Sequence, residues 1–349
     1  MVLGLPWEGR SPVLTIVGII IFGVIPALLV LEVLRCVYLE YRGDRMPILL
    51  YHRLVCKADA DRGLVRDDEM VWASYDTRFA EQMEYLKQAG WTTLDFDDFL
   101  KIRAGEMPRP AKPVFITFDD GYVSNYTMGL PVFKRLRLKA TIYVSPEPNE
   151  YTRKQVEGVD GFMTPQQLRE MTEAGISIQS HTLTHCVLAE LSDAEAMHEL
   201  EESRRRLAEI TGGQVVHLAI PRAGYSRRVK RLVRQAGYLT ACCNNKGSAN
   251  GLSDPLALTR IVIERDMTVA EFARSLEPRD ALVLRIVGNI KRIPERLGGS
   301  GFARWVRRKL YFGPLGGLFR TRTLKKLIAL AAVCYMAGAV VFFWYLLTT

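Results

Sequence analysis

The chain has 349 residues, an apolar fraction of 48% and a formal net charge of +9. Such a length holds one large domain plus accessory segments, and the apolar content excludes a predominantly disordered chain. The charge does not call for nucleic acid, because it gathers beside an apolar stretch where anionic lipid headgroups account for it, and the cysteines at 36, 56, 186, 242, 243 and 334 form no small-domain disulfide framework.

In chain order, Val13 to Leu34 is apolar over about the 20 residues that cross a bilayer. It outlasts the apolar run of about 7 to 15 residues in a cleaved signal, and bulky residues follow it, so it predicts an uncleaved anchor. Residues 1–46 are then an N-terminal transmembrane anchor and linker. From Pro47 to about Pro278 short apolar runs alternate with amphipathic stretches. The predicted strands are 48–51, 92–94, 114–118, 140–144, 176–180, 215–220, 239–243 and 258–263.

Helices fill the gaps between them. Arg78 to Gly90 keeps Phe79, Met83 and Leu86 on one face, and Ser192 caps a helix running to about Ile210. Gly90, Gly175, Gly212 and Gly237 each follow an amphipathic run, where a left-handed cap favours glycine. The pattern is that of an α/β fold, a distorted (β/α) barrel of about seven or eight units over 47–278, with Cys242 and Cys243 as buried strand residues.

Beyond Pro278 the alternation stops, and 279–326 is expected to be a basic interfacial segment lying on a membrane, with a terminal strand at 281–287 as the alternative for its start. Leu327 to Leu347, ending in Trp344 and Tyr345, predicts a C-terminal transmembrane helix within 327–349. Arg304, Arg307, Arg308, Lys309, Arg320, Arg322, Lys325 and Lys326 precede that span, and Arg35, Arg42 and Arg45 follow the first. By the positive-inside rule the region between the spans faces the cytoplasm, in an integral protein of a bacterial inner membrane.

The chemistry-bearing residues lie at strand ends. Phe115-Ile-Thr-Phe-Asp-Asp-Gly-Tyr122 places Asp119 and Asp120 where an apolar strand meets a glycine turn, the end at which barrel enzymes build their sites. Two candidate strands later, Ser180-His-Thr-Leu-Thr-His185 offers two imidazoles whose i, i+4 spacing would align them on one helical turn. Two imidazoles and a carboxylate make a three-ligand site with positions open for water and substrate, and a second carboxylate beside it is suited to proton transfer. Zinc suits this donor set, and cobalt, nickel or iron are accepted by ligand type. His198, in a charged helix, and His217, beside an apolar strand, are expected to be structural.

These residues resemble the polysaccharide deacetylase family with the NodB homology domain, carbohydrate esterase family 4, over about Pro47 to Leu276. Thr117 to Gly121 is similar to the family's Thr-Phe-Asp-Asp-Gly element, which implies Asp119 as catalytic base and Asp120 as metal ligand. His181, Thr182 and His185 meet its His-Ser/Thr-x-x-His motif, and Lys139 to Val144 and Met163 to Leu168 resemble its flanking phrases. Leu50-Tyr51-His52 resembles the poly-β-1,6-N-acetylglucosamine deacetylase branch, which implies His52 as the acid that protonates the leaving amine.

The third motif departs from the family: the chain has Ile220-Pro221-Arg222-Ala223-Gly224-Tyr225, so Pro221, Arg222 and Tyr225 line an altered substrate groove. Arg222 is expected to reach an acyl group or a phosphate, or to orient Asp119, and Arg260 to pair with a site carboxylate. The resemblance implies metal-dependent removal of N-acetyl groups from an amino-sugar polymer, while the predicted membrane tether and its cytoplasmic facing suit a lipid-linked saccharide, with membrane lipids as neighbours. Two other readings stand beside it, a deformylase of a lipid-linked aminosugar and a non-catalytic carbohydrate-binding component of a synthesis complex.

Overall fold

The computed structural model describes residues 25–63, 73–154 and 160–291. Two compact units divide the chain, Glu40–Arg285 and a second made of Met1–Leu39 with Ile286–Thr349. The described residues of the first contain ten strands: β1 (Ile48–Tyr51), β2 (Arg53–Val55), β3 (Ala73–Tyr75), β4 (Thr92–Leu94), β5 (Pro113–Phe118), β6 (Thr141–Val144), β7 (Ser177–Ser180), β8 (His217–Ala219), β9 (Thr240–Lys246) and β10 (Leu258–Val262). All eight predicted strands form, with ends shifted by up to a few residues.

Seven of these strands close into a parallel barrel. β5 to β10 pair successively in chain order, β10 pairs with β1, and β1 returns to β5. The eighth predicted strand, β4, stands outside this ring and pairs with Pro113 to Phe115 of β5, whereas β1 pairs with Phe115 to Phe118. β2 and β3 form a separate two-stranded parallel sheet.

Side chains alternate between two cores, as the strand period requires. Leu49, Tyr51, Val114, Ile116, Phe118, Ile142, Val144, Ile178 and Ile261 face the helical layer, where Tyr51, Phe79, Phe118 and Phe133 form a cluster of stacked and edge-on rings with centroids 5.1–6.0 Å apart. Ile48, Phe115, Tyr143, Ala219, Cys242 and Leu258, at the alternate positions, make up another cluster that fills the barrel interior. Cys242 and Cys243 are free, buried and on opposite faces of β9.

The helices follow from their caps. Asp76–Gln88 buries Phe79, Met83 and Leu86. Asp193–Thr211 begins at a capping box between Ser192 and Glu195, and Gly90, Gly175, Gly212 and Gly237 all take left-handed backbone at or just past helix ends. Thr164, in the phrase Met163 to Leu168, caps Pro165–Glu173 in the same way.

A helix, Pro278–Lys291, occupies the segment for which a strand at 281–287 was the alternative. The closed ring leaves β10 no free edge, since β1 and β9 take both its sides, and a helix buries Ala281 and Arg285 one turn apart on one face. Residues 292–326 of the expected interfacial segment lie outside the described residues. So do 13–24 of the first predicted span and the whole of the second. Helix Ile25–Tyr41 contains the remainder of the first, and among the described residues no helix is long and apolar enough to cross a membrane.

A buried charge network closes the lower end of the barrel unit. Glu40, fully buried, accepts from Arg285 Nε at 2.6 Å, Ser248 N at 2.9 Å and Arg45 Nε at 3.2 Å. Arg285 also donates to the Ser248 carbonyl at 2.5 Å, and Arg45 to Ser248 Oγ at 2.8 Å and the Leu276 carbonyl at 3.1 Å. Removing one partner of such a network leaves uncompensated buried charge, whereas removing both is far milder. Glu40→Ala should therefore lower stability by about 3–5 kcal/mol in denaturant unfolding, and Glu40→Met with Arg285→Met should recover much of that loss.

Candidate active site and metal centre

The alternation that builds the two cores also selects the side chains at the barrel mouth. On β5, Phe115 and Thr117 point inward, so Asp119, one step past the strand end, does too. The same count from Ile48 carries His52 inward after β1, from Tyr143 carries Ser145 inward after β6, and from Leu258 places Arg260 inward on β10. Because every ring pairing is parallel, the residues that follow the strands gather at one end.

Asp120, His181 and His185 converge there, each with one ligand atom, all within 4.8 Å of one another. Asp120 Oδ1 lies 3.4 Å from His181 Nε2 and 3.2 Å from His185 Nε2. The two histidines do not share a helical turn, which corrects the expectation from their spacing. Residues 181–187 are a loop in which Thr182 (φ 63) and His185 (φ 62) adopt left-handed backbone, and this reversal folds the second imidazole back beside the first. Asp120 is left-handed as well (φ 75). Gly121 follows at φ 79, where a Cβ would lie 3.0 Å from Val144 Cγ2, so both conformation and space demand glycine.

Strained backbone persists only where surrounding bonds hold it. Ser145 Oγ donates to the His181 carbonyl at 2.7 Å, and Asn149 Nδ2 to the Thr184 carbonyl at 2.7 Å. Glu199, buried on Asp193–Thr211, accepts from Thr184 N at 2.9 Å and Thr184 Oγ1 at 2.7 Å.

The donor set fits a divalent cation. His181 Nδ1 is 2.8 Å from the Ala219 carbonyl, to which it donates, leaving Nε2 as the lone-pair nitrogen of the neutral ring. His185 Nδ1 is 3.1 Å from Thr152 Oγ1, so its Nε2 also turns toward Asp120. Asp120 Oδ1, which both nitrogens face, is buried and without a hydrogen-bond donor. Two imidazole nitrogens and a carboxylate oxygen converging in this way make a compact N2O ligand set.

The electrostatics favour positive charge at the same point. Burial would raise the Asp120 carboxyl, but His181 and His185 hold it well below the usual carboxylate range. Burial opposes the imidazolium of His181, and the Asp119 and Asp120 carboxylates outweigh it, raising that ring. Burial and the neighbouring His181 push His185 down to about 4.

Asp119, whose Oδ2 lies 3.9 Å from His181 Nε2, is bound by Arg260. The guanidinium, 1% exposed, donates from Nη1 to Oδ1 at 2.7 Å and from Nη2 to Oδ2 at 2.8 Å, while Asp119 N donates to the Tyr51 carbonyl at 3.0 Å. Burial would raise the Asp119 carboxyl, but Arg260 outweighs it and the group is lowered. Orientation of Asp119 thus falls to Arg260 rather than to Arg222. Burial lowers His52, while the charges of Asp120 and Asp119 act in the opposite sense, and Asn125 Nδ2 donates to the His52 carbonyl at 2.8 Å.

The third-motif residues have separate fates. Pro221 is buried, Tyr225 packs against the helix-facing core, and Arg222 is exposed, its charge felt by His185. His217 is buried with Nδ1 2.9 Å from Thr240 Oγ1 and Nε2 3.2 Å from Asp97 Oδ1, and His198 lies exposed on its helix. Thr152, Asn125 and the Ala219 carbonyl were not foreseen. Each acts on a site residue at least 33 positions away in sequence, a separation at which no local pattern reports.

Comparison with known proteins agrees with this geometry. Residues 106–241 match the family model for polysaccharide deacetylases. YxkH of Bacillus subtilis (strain 168), assigned to the polysaccharide deacetylases, is 27% identical over 233 residues, 67% of this chain and 76% of YxkH. The poly-β-1,6-N-acetyl-D-glucosamine N-deacetylase of Escherichia coli (strain K12) is 30% identical over 110 residues, 29% of this chain but 16% of that enzyme. The Streptococcus pyogenes deacetylase PplD, solved with acetate, shares the fold with a TM-score of 0.59 at 22% identity, over 68% of this chain and 100% of PplD. With its paired aspartates and two histidines at the mouth of a seven-stranded barrel, the chain carries a polysaccharide deacetylase domain of the NodB type, the domain of hydrolases that act on amide bonds.

Proposed function

We propose that the protein removes N-acetyl groups from an amino-sugar saccharide, with Asp120, His181 and His185 holding a divalent cation, zinc in first place. The observation that carries this reading is Asp120 Oδ1, buried without a donor and faced by two imidazole nitrogens, beside a second carboxylate locked by Arg260. Bound there, the cation supplies Lewis-acid polarisation of the amide carbonyl and lowers the pKa of water.

The chain's own residues divide the remaining work. Asp119, kept ionised by Arg260, takes a proton from the attacking water. Its pairing leaves it no freedom to swing onto the cation, so the adjacent aspartates keep distinct roles. His52, inward-facing just after the neighbouring β1, gives a proton to the departing amine nitrogen from its imidazolium form, which burial opposes and the Asp120 and Asp119 carboxylates favour. Water and the amide become acetate and the free amino sugar.

For the substrate, the E. coli relative acts on poly-β-1,6-N-acetyl-D-glucosamine, which supports an acetylated amino-sugar polymer or saccharide here. The apolar stretches 13–34 and 327–347 and the basic run from Arg304 to Lys326 support a lipid-linked form of it, handled at the cytoplasmic face of a bacterial inner membrane.

Asp120→Asn, His181→Ala and His185→Ala should each purify with little metal by elemental analysis. Thr152→Val should keep the fold but weaken metal affinity about 10- to 100-fold, because it removes the partner that orients His185. Metal-replete Asp119→Asn should retain the cation yet lose about 10²–10⁴-fold in kcat on an N-acetylglucosamine oligomer; retained turnover would end the assignment of Asp119 as base. Reporter fusions within 47–278 should report a cytoplasmic location, and an external signal would redirect the reading to exported polysaccharide.

A further inference from the structure

The Pro221-Arg222 turn stands where the site meets solvent and has a backbone that suits a different residue. Arg222 sits at φ 52 and ψ 32 within a short 3₁₀ turn, Pro221–Ala223, closed by Gly224 N donating to the Pro221 carbonyl at 3.1 Å. Glycine adopts this left-handed region without a Cβ penalty, whereas the arginine here bears that penalty, which directs attention to its side chain. That side chain is exposed, and the turn follows β8, which pairs in the ring with β7, the strand that leads into the loop of His181 and His185.

The turn opens a stretch of one sign. Between Pro221 and Gln235 the chain carries Arg222, Arg227, Arg228, Lys230, Arg231 and Arg234 and no acidic residue. Asp193 takes Arg228 and Arg231, and Asp254 takes Lys230. Arg227 and Arg234 add exposed charge along the helix that leads away from the mouth, Arg227–Gln235. A neutral acetamido sugar gains little from such a field, whereas an anionic oxygen group gains both Coulombic attraction and the forked hydrogen bonds of a guanidinium.

We infer that Arg222 is a specificity residue that binds a phosphate ester carried by the saccharide close to the acetamido group. The inference rests on the deacetylase reading of the site and names the substrate class within it. No new covalent step is involved: the phosphate is held while the amide is hydrolysed.

The test compares a neutral N-acetylglucosamine oligomer, the same oligomer with a terminal phosphate monoester, and a polyprenyl-diphosphate-linked form in detergent, all with the metal-loaded full chain. Wild type should show a KM for the phosphorylated oligomer about tenfold or more below that for the neutral one, the worth of one charge-assisted contact. Arg222→Gly, which suits the backbone, and Arg222→Gln should bring that ratio close to one, with Arg222→Lys in between. A lipid-linked substrate preferred over the soluble phosphate, with the preference lost in Arg222→Gly, locates the phosphate on a lipid carrier; equal preference assigns it to the glycan. Calorimetric binding of the two soluble oligomers to the Asp119→Asn protein reads the same preference without turnover. A binding preference that persists in the variants, or is absent in wild type, overturns the role of Arg222, while failure to hydrolyse any of the substrates overturns the deacetylase reading instead.

Discussion

A carboxylate buried in the throat of a barrel stays ionised only beside a fixed positive charge, and Arg260 supplies that charge to Asp119 through hydrogen bonds of 2.7 and 2.8 Å. The pair joins β10 to the end of β5 across β1, which lies between them in the ring. Its Coulombic gain is offset by the loss of hydration on both ions, so its main effect is not net stability. What it secures is geometry, since a bidentate fork fixes both oxygens of the carboxylate at once. The adjacent Asp120 has no such partner for Oδ1 and turns to the imidazoles. Two neighbouring aspartates thus acquire different chemical characters from one buried arginine.

The second constraint is conformational. Asp120, Gly121, Thr182, His185 and Arg222 all occupy left-handed backbone, and all lie at the mouth. Elsewhere among the described residues the only non-glycine residue in this region is Arg137, a helix C-cap. Local strain gathers where side chains must be turned back into the pocket against the direction of the chain. Glu199, Ser145 and Asn149 hold the histidine loop in that shape through hydrogen bonds to its backbone. Thr152 and the Ala219 carbonyl complete the arrangement by fixing which ring nitrogen faces Asp120. The imidazoles are therefore oriented from three stretches of the chain, 145–152, the helix of Glu199 and β8, none of which itself supplies a ligand.

How far the sequence could be read follows from the range of each signal. Strand positions were legible because short runs of three to six residues between glycine and proline punctuation have a strong local cause. Helix starts at Ser192 and Thr164 were legible for the same reason, since a capping box closes within three residues. The His181–His185 spacing misled in one respect. An i, i+4 interval suits a helix, yet this loop brings the rings together by two left-handed residues, and no periodicity announces that. β4 was correctly placed as a strand, but its exclusion from the ring depends on β1 reaching β5 first. Arg260 was read as a partner for a site carboxylate, but only the pairing of β10 with β1 makes Asp119 that partner and removes Arg222 from the role.

By itself, then, the sequence determined the (β/α) alternation, the strand ends that carry Asp119, Asp120 and His181, and the identity of the ligand types, because these are properties of short windows and of side-chain chemistry. Tertiary structure decided the closure of the ring at seven strands, the division of labour between the two aspartates, the tautomers of the histidines through Thr152 and Ala219, and the exposure of Arg222 at the rim. Each of these depends on groups brought together from distant parts of the chain, where the closing of the barrel, and not any local preference, sets the distance between them.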